Sequence, residues 1–189
     1  CLCAALAMLL SSLIGKKIQA KKLINTLKLQ GHETILDVGC GKGLLLITAA
    51  KQLNKNGKAC GIDIWNQNDL SANSIQATLH NAHIENVQDR VIVQDGNACH
   101  IPFPDNHFDA VISSMMLHNI DNEENRKKAL SEMVRVLKPN GTLLIQDFQH
   151  TQEYFKNVHY LPVHSIQRSK LLWYLFPPVR IVSAIKKEI

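Results

Sequence analysis

Apolar and polar residues follow one another along the chain in blocks that predict alternating strands and helices. Short apolar runs predict strands at 34–38, 58–65, 90–94, 108–113, 142–147, 163–167 and 179–185. Longer stretches between them predict helices at 17–29, 44–53, 69–82, 123–137 and 152–158. Strands that alternate with helices at this interval indicate βαβ units. We therefore expect an α/β fold in which a parallel sheet carries helices on both faces.

The first predicted strand runs through a glycine-rich loop directly into an apolar helix. The sequence there is Asp37-Val38-Gly39-Cys40-Gly41-Lys42-Gly43, an acid followed by three alternating glycines. Glycine adopts positive φ and lets a ligand approach the backbone closely, so the loop predicts a nucleotide-type ligand over the end of the strand. A tight strand-to-helix turn without a ligand is the alternative interpretation.

The spacing of the glycines and the charge beside them separate two classes of ligand. A dinucleotide site needs G-x-G-x-x-G, and its third glycine would fall at Leu44. Asp37 also repels a pyrophosphate, whereas it attracts an ammonium or sulfonium group. Asp63 follows the second strand and can accept hydrogen bonds from the hydroxyls of a ribose. An adenosine with a cationic, amino-acid-bearing tail satisfies both acids, which describes S-adenosylmethionine.

Further motifs occur in order along the chain. They are Ile35–Gly43, Gly61–Asp63, Asn97–Asp109 and Arg135–Gly141. Together they resemble class I S-adenosylmethionine-dependent methyltransferases over roughly residues 20–187. The third motif is similar to a run in the branch that includes ubiquinone- and menaquinone-pathway methyltransferases. The resemblance implies a Rossmann-like, doubly wound, seven-stranded and mostly parallel sheet.

The resemblance also implies which residues contact the cofactor. Those expected to bind it are Asp37, Gly39, Cys40, Gly41, Gly43, Asp63, Ile64, Trp65, Asp95, Asn97, Ala98 and Ser113. The glycine loop would face the methionine end and Asp63 the ribose, with Ile64 and Trp65 beside the adenine. Asn97 stands where the family usually has an acid that accepts the adenine amino group. Asp95 is a rival for that role.

Methyl transfer needs alignment of donor and acceptor, and it needs a base only when the acceptor must lose a proton. His118, in the run Ser113-Ser114-Met115-Met116-Leu117-His118 after the fourth strand, is the candidate base. A histidine that merely shapes the site is the alternative. We expect no metal site, because the cysteines form no CxxC pair. A small-molecule or lipid-like acceptor is favoured over nucleic acid, because the sequence has no extended basic stripe.

The first 15 residues form a segment separate from the predicted domain at 16–189. Leu2–Ile14 is almost wholly apolar, and lysines follow it. This run is shorter than the roughly 20 residues that a membrane span needs, but the first residue is Cys, so we expect a truncated anchor. Lysines after an apolar run are typical of a cytoplasmic flank. The sequence therefore predicts a cytoplasmic protein tethered to the membrane, and a buried or oligomer-forming helix at Leu2–Ile14 is the alternative interpretation.

Two other functions stay open at this stage. A catalytically silent protein that binds S-adenosylmethionine would carry the same motifs. An NAD(P)-dependent oxidoreductase is disfavoured by Leu44 and Asp37.

Overall fold

The computed structural model describes residues 15–66 and 71–188, and the strands in these residues form one mixed sheet. They are β1 (Thr34–Val38), β2 (Lys58–Asp63), β3 (Val91–Asp95), β4 (Phe108–Ser114), β5 (Leu137–Asp147), β6 (Val163–Arg168) and β7 (Arg180–Lys186). Their order across the sheet is β3-β2-β1-β4-β5-β7-β6. Strands β1 to β5 pair in parallel, whereas β7 is antiparallel to both β5 and β6. The predicted seven-stranded, mostly parallel sheet is confirmed.

The order of the strands places a crevice at the centre of the sheet. The chain moves outward from β1 through β2 to β3 and then crosses back, so that β4 lies against the other side of β1. At such a topological switch point the loops after the two central strands turn to opposite faces and leave a space between them. The glycine loop follows β1, so this crevice is where the predicted ligand site belongs.

The described helices are α1 (Lys16–Asn25), α2 (Leu44–Ala50), α3 (Ile75–Ile84), α4 (Glu123–Val136) and α5 (Thr151–Val158), with a 3₁₀ turn at Leu117–Asn119. Side chains cap two of them. The Ser74 hydroxyl accepts a hydrogen bond from the Ala77 amide at 3.1 Å, and the Asn122 side chain accepts one from the Asn125 amide at 2.8 Å. Each cap satisfies an amide at the first turn that has no partner within the helix.

The two faces of the sheet are both covered, as the near-continuous apolar strands require. Neighbouring residues of β1 point to opposite faces: Ile35 packs in the cluster that contains Leu23 and Leu46 from α1 and α2. Leu36 belongs instead to the cluster that contains Leu130 and Met133 of α4. The strands that carry the site are therefore packed against helices on both faces of the sheet.

The first helix ends earlier than the apolar pattern predicts. It stops at Asn25 rather than at residue 29, and the Thr26 hydroxyl bonds to the Leu23 carbonyl at 2.6 Å. Leu27 and Leu29 still pack against the core, but they do so from a loop. Apolar spacing alone does not distinguish these two arrangements.

Two other boundaries differ from the prediction by five residues or more. The third helix begins at Ile75 after its Ser74 cap, whereas the pattern predicts a start at residue 69, which lies outside the described residues. Strand β5 begins at Leu137 rather than at the predicted residue 142, so Lys138–Gly141 lies within its bounds. The pairing with β4 shifts register there, and Asn140 has φ +63°. Asparagine tolerates this left-handed conformation better than most residues.

Within residues 15–66 and 71–188, no helix is both long and apolar enough to cross a membrane. The predicted apolar segment Leu2–Ile14 and most of the predicted 1–15 domain lie outside the described residues.

Candidate functional site

The loop after β1 presents its backbone to the crevice. Gly39, Gly41 and Gly43 have φ of +74°, +49° and +88°. The amides of Gly39 and Cys40 both donate to the Ile62 carbonyl, at 2.8 and 3.1 Å, which anchors the loop to β2. A Cβ on Gly39 would lie 2.1 Å from Cγ of Met116, so this position combines positive φ with a close neighbour and requires glycine.

A cleft of about 1380 Å³ opens over the loop. It is larger than the roughly 300–1,000 Å³ of typical small-molecule sites, so it has room for a nucleoside cofactor and part of a second substrate. The loops after β1, β2, β3 and β4 all contribute to its lining, together with the exposed side of α1. The predicted site residues that line it are Gly39, Cys40, Gly41, Gly43, Asp63, Ile64, Asn97, Ala98 and His118.

Asp63 accepts hydrogen bonds from three residues and so links the segments around the cleft. Its Oδ2 accepts from the Gly41 amide at 2.9 Å, and its Oδ1 accepts from the Trp65 amide at 2.7 Å and from Nδ2 of Asn73 at 3.1 Å. A carboxylate offers about four lone-pair positions, so about one remains for a ligand. The expectation that Asp63 binds both ribose hydroxyls therefore requires one of the present donors to move.

Asp37 lies behind the loop rather than in the lining of the cleft. It is 2% exposed, and its Oδ2 accepts from the Leu46 amide at 3.0 Å. Burial raises the pKa of Asp37 to about 7, and the charge of Asp63 adds to the rise, while the Leu46 amide opposes it. The carboxyl lines a second, smaller cavity that shares Gly39 and Cys40 with the cleft.

Cys40 contributes its backbone to the loop, and its side chain points into the protein. The residue is 6% exposed, and a Cβ on Gly61 of β2 would lie 2.8 Å from its Sγ. Burial raises the pKa of the Cys40 thiol, and the neighbouring acids Asp37 and Asp63 raise it further. The thiol is therefore protonated at neutral pH and fills space in the loop.

The structure separates the residues that the resemblance assigns to the adenine. Ile64 is 63% exposed and lines the cleft, whereas Trp65 packs partly buried against the core. Asn97 and Ala98 line the cleft as well. Asp95, the rival of Asn97, is exposed at the end of β3 and lies outside that lining.

Ser113 and Ser114 point to different surroundings because they are neighbours on β4. Ser113 is 1% exposed, and its hydroxyl donates to the Val38 carbonyl at 2.8 Å. Ser114 instead lines both the cleft and the smaller cavity. The structure thus places the Ser113 hydroxyl between the ends of β1 and β4 and presents Ser114 to a ligand.

The side chain of His118 lies beside the carboxylate of Asp147, a contact that was not predicted from the sequence. Its Nδ1 lies 2.8 Å from Oδ1 of Asp147, and its amide donates to Oδ2 of the same residue at 3.1 Å. Asp147 is fully buried at the end of β5, and the ring of Phe148 packs against His118 with centroids 4.5 Å apart. The contact of Nδ1 with Asp147 is close but is not aligned as a hydrogen bond, because Nδ1 is buried without a hydrogen-bond partner among the described residues.

Three polar residues in and just before α3 support the glycine loop through hydrogen bonds. They were not predicted from the sequence. The buried Thr78 hydroxyl donates to the Gly41 carbonyl at 2.6 Å, and Nδ2 of Asn81 donates to the Lys42 carbonyl at 3.0 Å. Asn73 is 4% exposed and bonds Asp63. The Ser74 cap marks where this helix begins, but nothing in the sequence shows that its side chains reach across to the loop.

The part of the chain that the structure describes brings together no group of three His, Cys, Asp or Glu side chains that could hold a metal ion.

Comparison with known proteins gives one family and several relatives. A family model described as a methyltransferase domain matches residues 36–145, which include the glycine loop and strands β2 to β4. A demethylmenaquinone methyltransferase of Lactobacillus johnsonii is 32% identical over 139 residues, covering 72% of this chain and 52% of that protein. A 2-phytyl-1,4-naphtoquinone methyltransferase of Trichormus variabilis is 32% identical over 116 residues, covering 61% of this chain and 47% of that protein. The chain spans about half the length of the curated relatives it matches.

Solved structures share the fold. A SAM-dependent methyltransferase from Aquifex aeolicus superposes with a TM-score of 0.67 at 21% identity, covering 88% of each chain. At this identity the similarity establishes the arrangement of strands and helices.

Proposed function

Because this chain belongs to the methyltransferase domain family, we propose that it transfers a methyl group from S-adenosylmethionine to a small-molecule or lipid-like acceptor. The observation that carries the proposal is the family match over residues 36–145, which covers the loop and most of the cleft. The remaining cleft residues, from α1, precede the matched segment.

The described residues fit this cofactor. The three positive-φ glycines place no side chain at alternate positions of the loop, where a ligand can approach the backbone. Oδ1 of Asn73 is buried in the wall of the cleft and has no hydrogen-bond partner among the described residues, so it can accept from a ligand hydroxyl. Asp63 and Asn73 would hold the ribose, Ile64 and Asn97 would flank the adenine, and the charge of Asp37 would favour the cationic tail.

When bound, S-adenosylmethionine supplies a methyl group that is already activated by its sulfonium. The protein's own part is then to align the acceptor, exclude water and accept a proton where the acceptor must lose one. The loops after β1 and β4 meet at Gly39 and Met116, whose close contact fixes the distance between the two sides of the cleft.

His118 is the residue placed to accept a proton. The Asp147 carboxylate lies 2.8 Å from Nδ1 and would attract a protonated imidazole, although no aligned hydrogen bond joins the two groups. The backbone amides of His118 and Phe148 also donate to Asp147, which holds the carboxylate in place. This arrangement supports His118 as a general base, with Asp147 as the carboxylate beside it.

The class of acceptor is inferred from the relatives. Two of them are named for methyl transfer to demethylmenaquinone and to a phytyl-naphthoquinone. We infer that this chain acts on a quinone-type ring with an apolar tail, in its reduced, hydroxylated form. The cleft has room for such a ring beside the cofactor.

Turnover tests this function and separates an enzyme from a silent cofactor binder. Purified protein is incubated with S-adenosylmethionine labelled on its methyl group and with a chemically reduced demethylated naphthoquinone. We expect label in the organic phase that depends on both protein and acceptor. Binding of the cofactor product without any transfer to this acceptor or to a cell lipid extract would contradict the proposal.

We further propose that the protein associates with an anionic membrane surface. The exposed lysines Lys16, Lys17 and Lys21 of α1 and the exposed ring of Trp173 support this, because cations and aromatic rings favour the headgroup region. Sedimentation with phosphatidylserine vesicles, but not with pure phosphatidylcholine vesicles, is expected. Recovery of the protein in the supernatant with both would contradict a membrane role.

A further inference from the structure

The helix α1 and the segment that joins β6 to β7 together form a patch of exposed apolar and aromatic side chains. We call it the docking patch, and it consists of Ile18, Lys22, Trp173, Tyr174 and Phe176. Trp173, Phe176 and Ile18 are 75%, 51% and 48% exposed. Side chains of this kind are normally buried, so their joint exposure marks a surface for contact with another molecule or a membrane.

Specific contacts hold the two parts of the docking patch together. The Tyr174 hydroxyl donates to Oε1 of Gln19 in α1, and Nζ of Lys22 lies 4.8 Å from the centroid of the Tyr174 ring. Leu175, the next residue along the chain, is buried. The segment is therefore fixed to α1 by Tyr174 and to the protein interior by Leu175, and this arrangement leaves Trp173 exposed.

The charge around the docking patch has one sign. Residues 15–32 and 154–187, which include both parts of the patch, contain no Asp or Glu. Their exposed cations include Lys17, Lys21, Lys22 and Lys170. A second copy of the chain would bring these like charges face to face, whereas cations beside aromatic rings match a bilayer with anionic headgroups. Charge complementarity therefore favours an anionic lipid surface as the partner.

The docking patch lies next to the cleft. Lys17 and Lys21 of α1 line the cleft, and Ile18 and Lys22 of the same helix belong to the patch. Successive residues of an α-helix are about 100° apart around its axis, so the two pairs lie on adjacent sides of α1. A bilayer held against the patch would therefore lie beside the opening of the cleft.

We propose that the docking patch inserts its rings into an anionic bilayer, so that the acceptor passes from the lipid into the cleft beside α1. This deepens the proposed function and rests on it, because it concerns an acceptor with an apolar tail. The lysines supply an attraction that salt screens, whereas the rings of Trp173 and Phe176 bury apolar surface. Part of the binding to the bilayer therefore persists at high ionic strength.

Fluorescence quenching tests whether the rings enter the bilayer. The chain has two tryptophans, and Trp65 packs against the core, whereas Trp173 lies in the docking patch. The full chain is mixed with phosphatidylserine vesicles whose acyl chains carry bromine, which quenches tryptophan emission on contact. We expect quenching in the unmodified chain and none in Trp173→Phe, which retains only Trp65.

Binding and turnover test whether the docking patch brings the acceptor to the cleft. Trp173→Ser should bind phosphatidylserine vesicles about tenfold more weakly, because burial of the ring is lost. It should lower kcat/KM by a similar factor for a long-tailed naphthoquinol held in these vesicles, but not for a short-tailed, water-soluble naphthoquinol. Tyr160→Ser, which replaces an 88% exposed ring outside the patch, is the matched control and should leave all three values unchanged.

The outcomes separate this inference from the proposed function. If the chain binds the vesicles but Trp173 is not quenched, the docking patch is wrong and charge alone holds the protein at the membrane. If Trp173→Ser methylates the vesicle-held acceptor as fast as the unmodified chain does, the proposed route of the acceptor is wrong. If neither acceptor is methylated, the proposed function fails, and quenching still decides the patch. A dimer that forms without lipid and that Trp173→Ser dissociates would assign the patch to a second copy of the chain instead.

Discussion

At the scale of single residues, Asp63 is the side chain whose loss should affect the cofactor site most. Its carboxylate holds Gly41, Trp65 and Asn73 in place and is expected to bind the ribose. We predict that Asp63→Ala weakens S-adenosylhomocysteine binding by about 2 kcal/mol or more, because charge-assisted hydrogen bonds are lost. Calorimetric titration measures this. Asp95→Ala, at the position of β3 in register with Asp63, is the control, and an unchanged affinity for Asp63→Ala would refute the ribose assignment.

Asp37 should make cofactor binding depend on pH near neutrality. Burial raises its pKa to about 7, and the ammonium group of S-adenosylhomocysteine favours the ionised form. Affinity for S-adenosylhomocysteine should therefore weaken as the pH falls below about 7, approaching about tenfold per pH unit, with a proton released on binding. Titrations in buffers of different ionisation enthalpy measure both effects. A flat affinity from pH 6 to 8, or the same pH dependence in Asp37→Asn, would contradict the prediction.

Asp37 also affects the stability of the ligand-free chain, and this effect depends on pH in the opposite direction to cofactor affinity. Since the folded pKa of Asp37 lies above its ordinary value of 3.8, the folded state binds more protons than the unfolded state up to about pH 7. The contribution of Asp37 to the free energy of unfolding therefore falls as the pH rises from about 4 to 7.

His118 should affect turnover without affecting cofactor affinity. We predict that His118→Gln lowers kcat by about 100-fold for an acceptor that must lose a proton, because a positioned base is removed. His80→Gln, an exposed histidine of α3, is the control. A kcat equal to that of the unmodified chain would show that His118 only shapes the site.

At the residue scale, the sequence predicts those site residues that belong to a recognisable local motif. The glycines, Asp63 and His118 all line the cleft. Asn73 and Asp147 were not predicted, because their roles come from neighbours far along the chain. Asp147 reaches His118 only because β4 and β5 are adjacent in the sheet.

At the scale of elements, an ion pair joins α4 to α5 and supports the loop that carries His118. The guanidinium of Arg126 is bonded twice to Glu153 at 2.8 Å and also donates to the Ile120 carbonyl. Arg126 is 6% exposed, so it would be left buried without a counter-charge if Glu153 were removed. This differs from an exposed pair, which contributes little to stability.

We predict that Glu153→Ala lowers the free energy of unfolding by about 3 kcal/mol. Glu124→Ala breaks the exposed pair of Glu124 with Lys127 on the same helix and should change it by less than about 1 kcal/mol. Urea denaturation of both variants gives the comparison. Equal losses would show that burial does not set the contribution of the Arg126 pair.

The positions of most elements were predictable, whereas some of their ends were not. Apolar runs locate each strand because a parallel sheet buries both of its faces. The end of α1 at Asn25 depends on a hydroxyl bond to the Leu23 carbonyl, and the start of β5 depends on an irregular pairing with β4. Neither contact leaves an apolar pattern in the sequence.

At the scale of the whole molecule, the order of the strands creates the site. The crossover from β3 back to β4 leaves a crevice beside β1, and the loops that follow β1 to β4 all reach it. The sequence predicts the alternation of elements, but strand order depends on contacts between distant segments. The resemblance of several motifs to one family implies a doubly wound, seven-stranded sheet, which the apolar pattern alone does not predict.

The central claim is that the cleft binds S-adenosylmethionine rather than a dinucleotide. Calorimetric titration of the protein with S-adenosylhomocysteine and, separately, with NAD tests it most directly. The glycine spacing and the acid at Asp37 predict saturable binding of S-adenosylhomocysteine to one site per chain and no detectable binding of NAD. Saturable binding of NAD, with none of S-adenosylhomocysteine, would contradict the account.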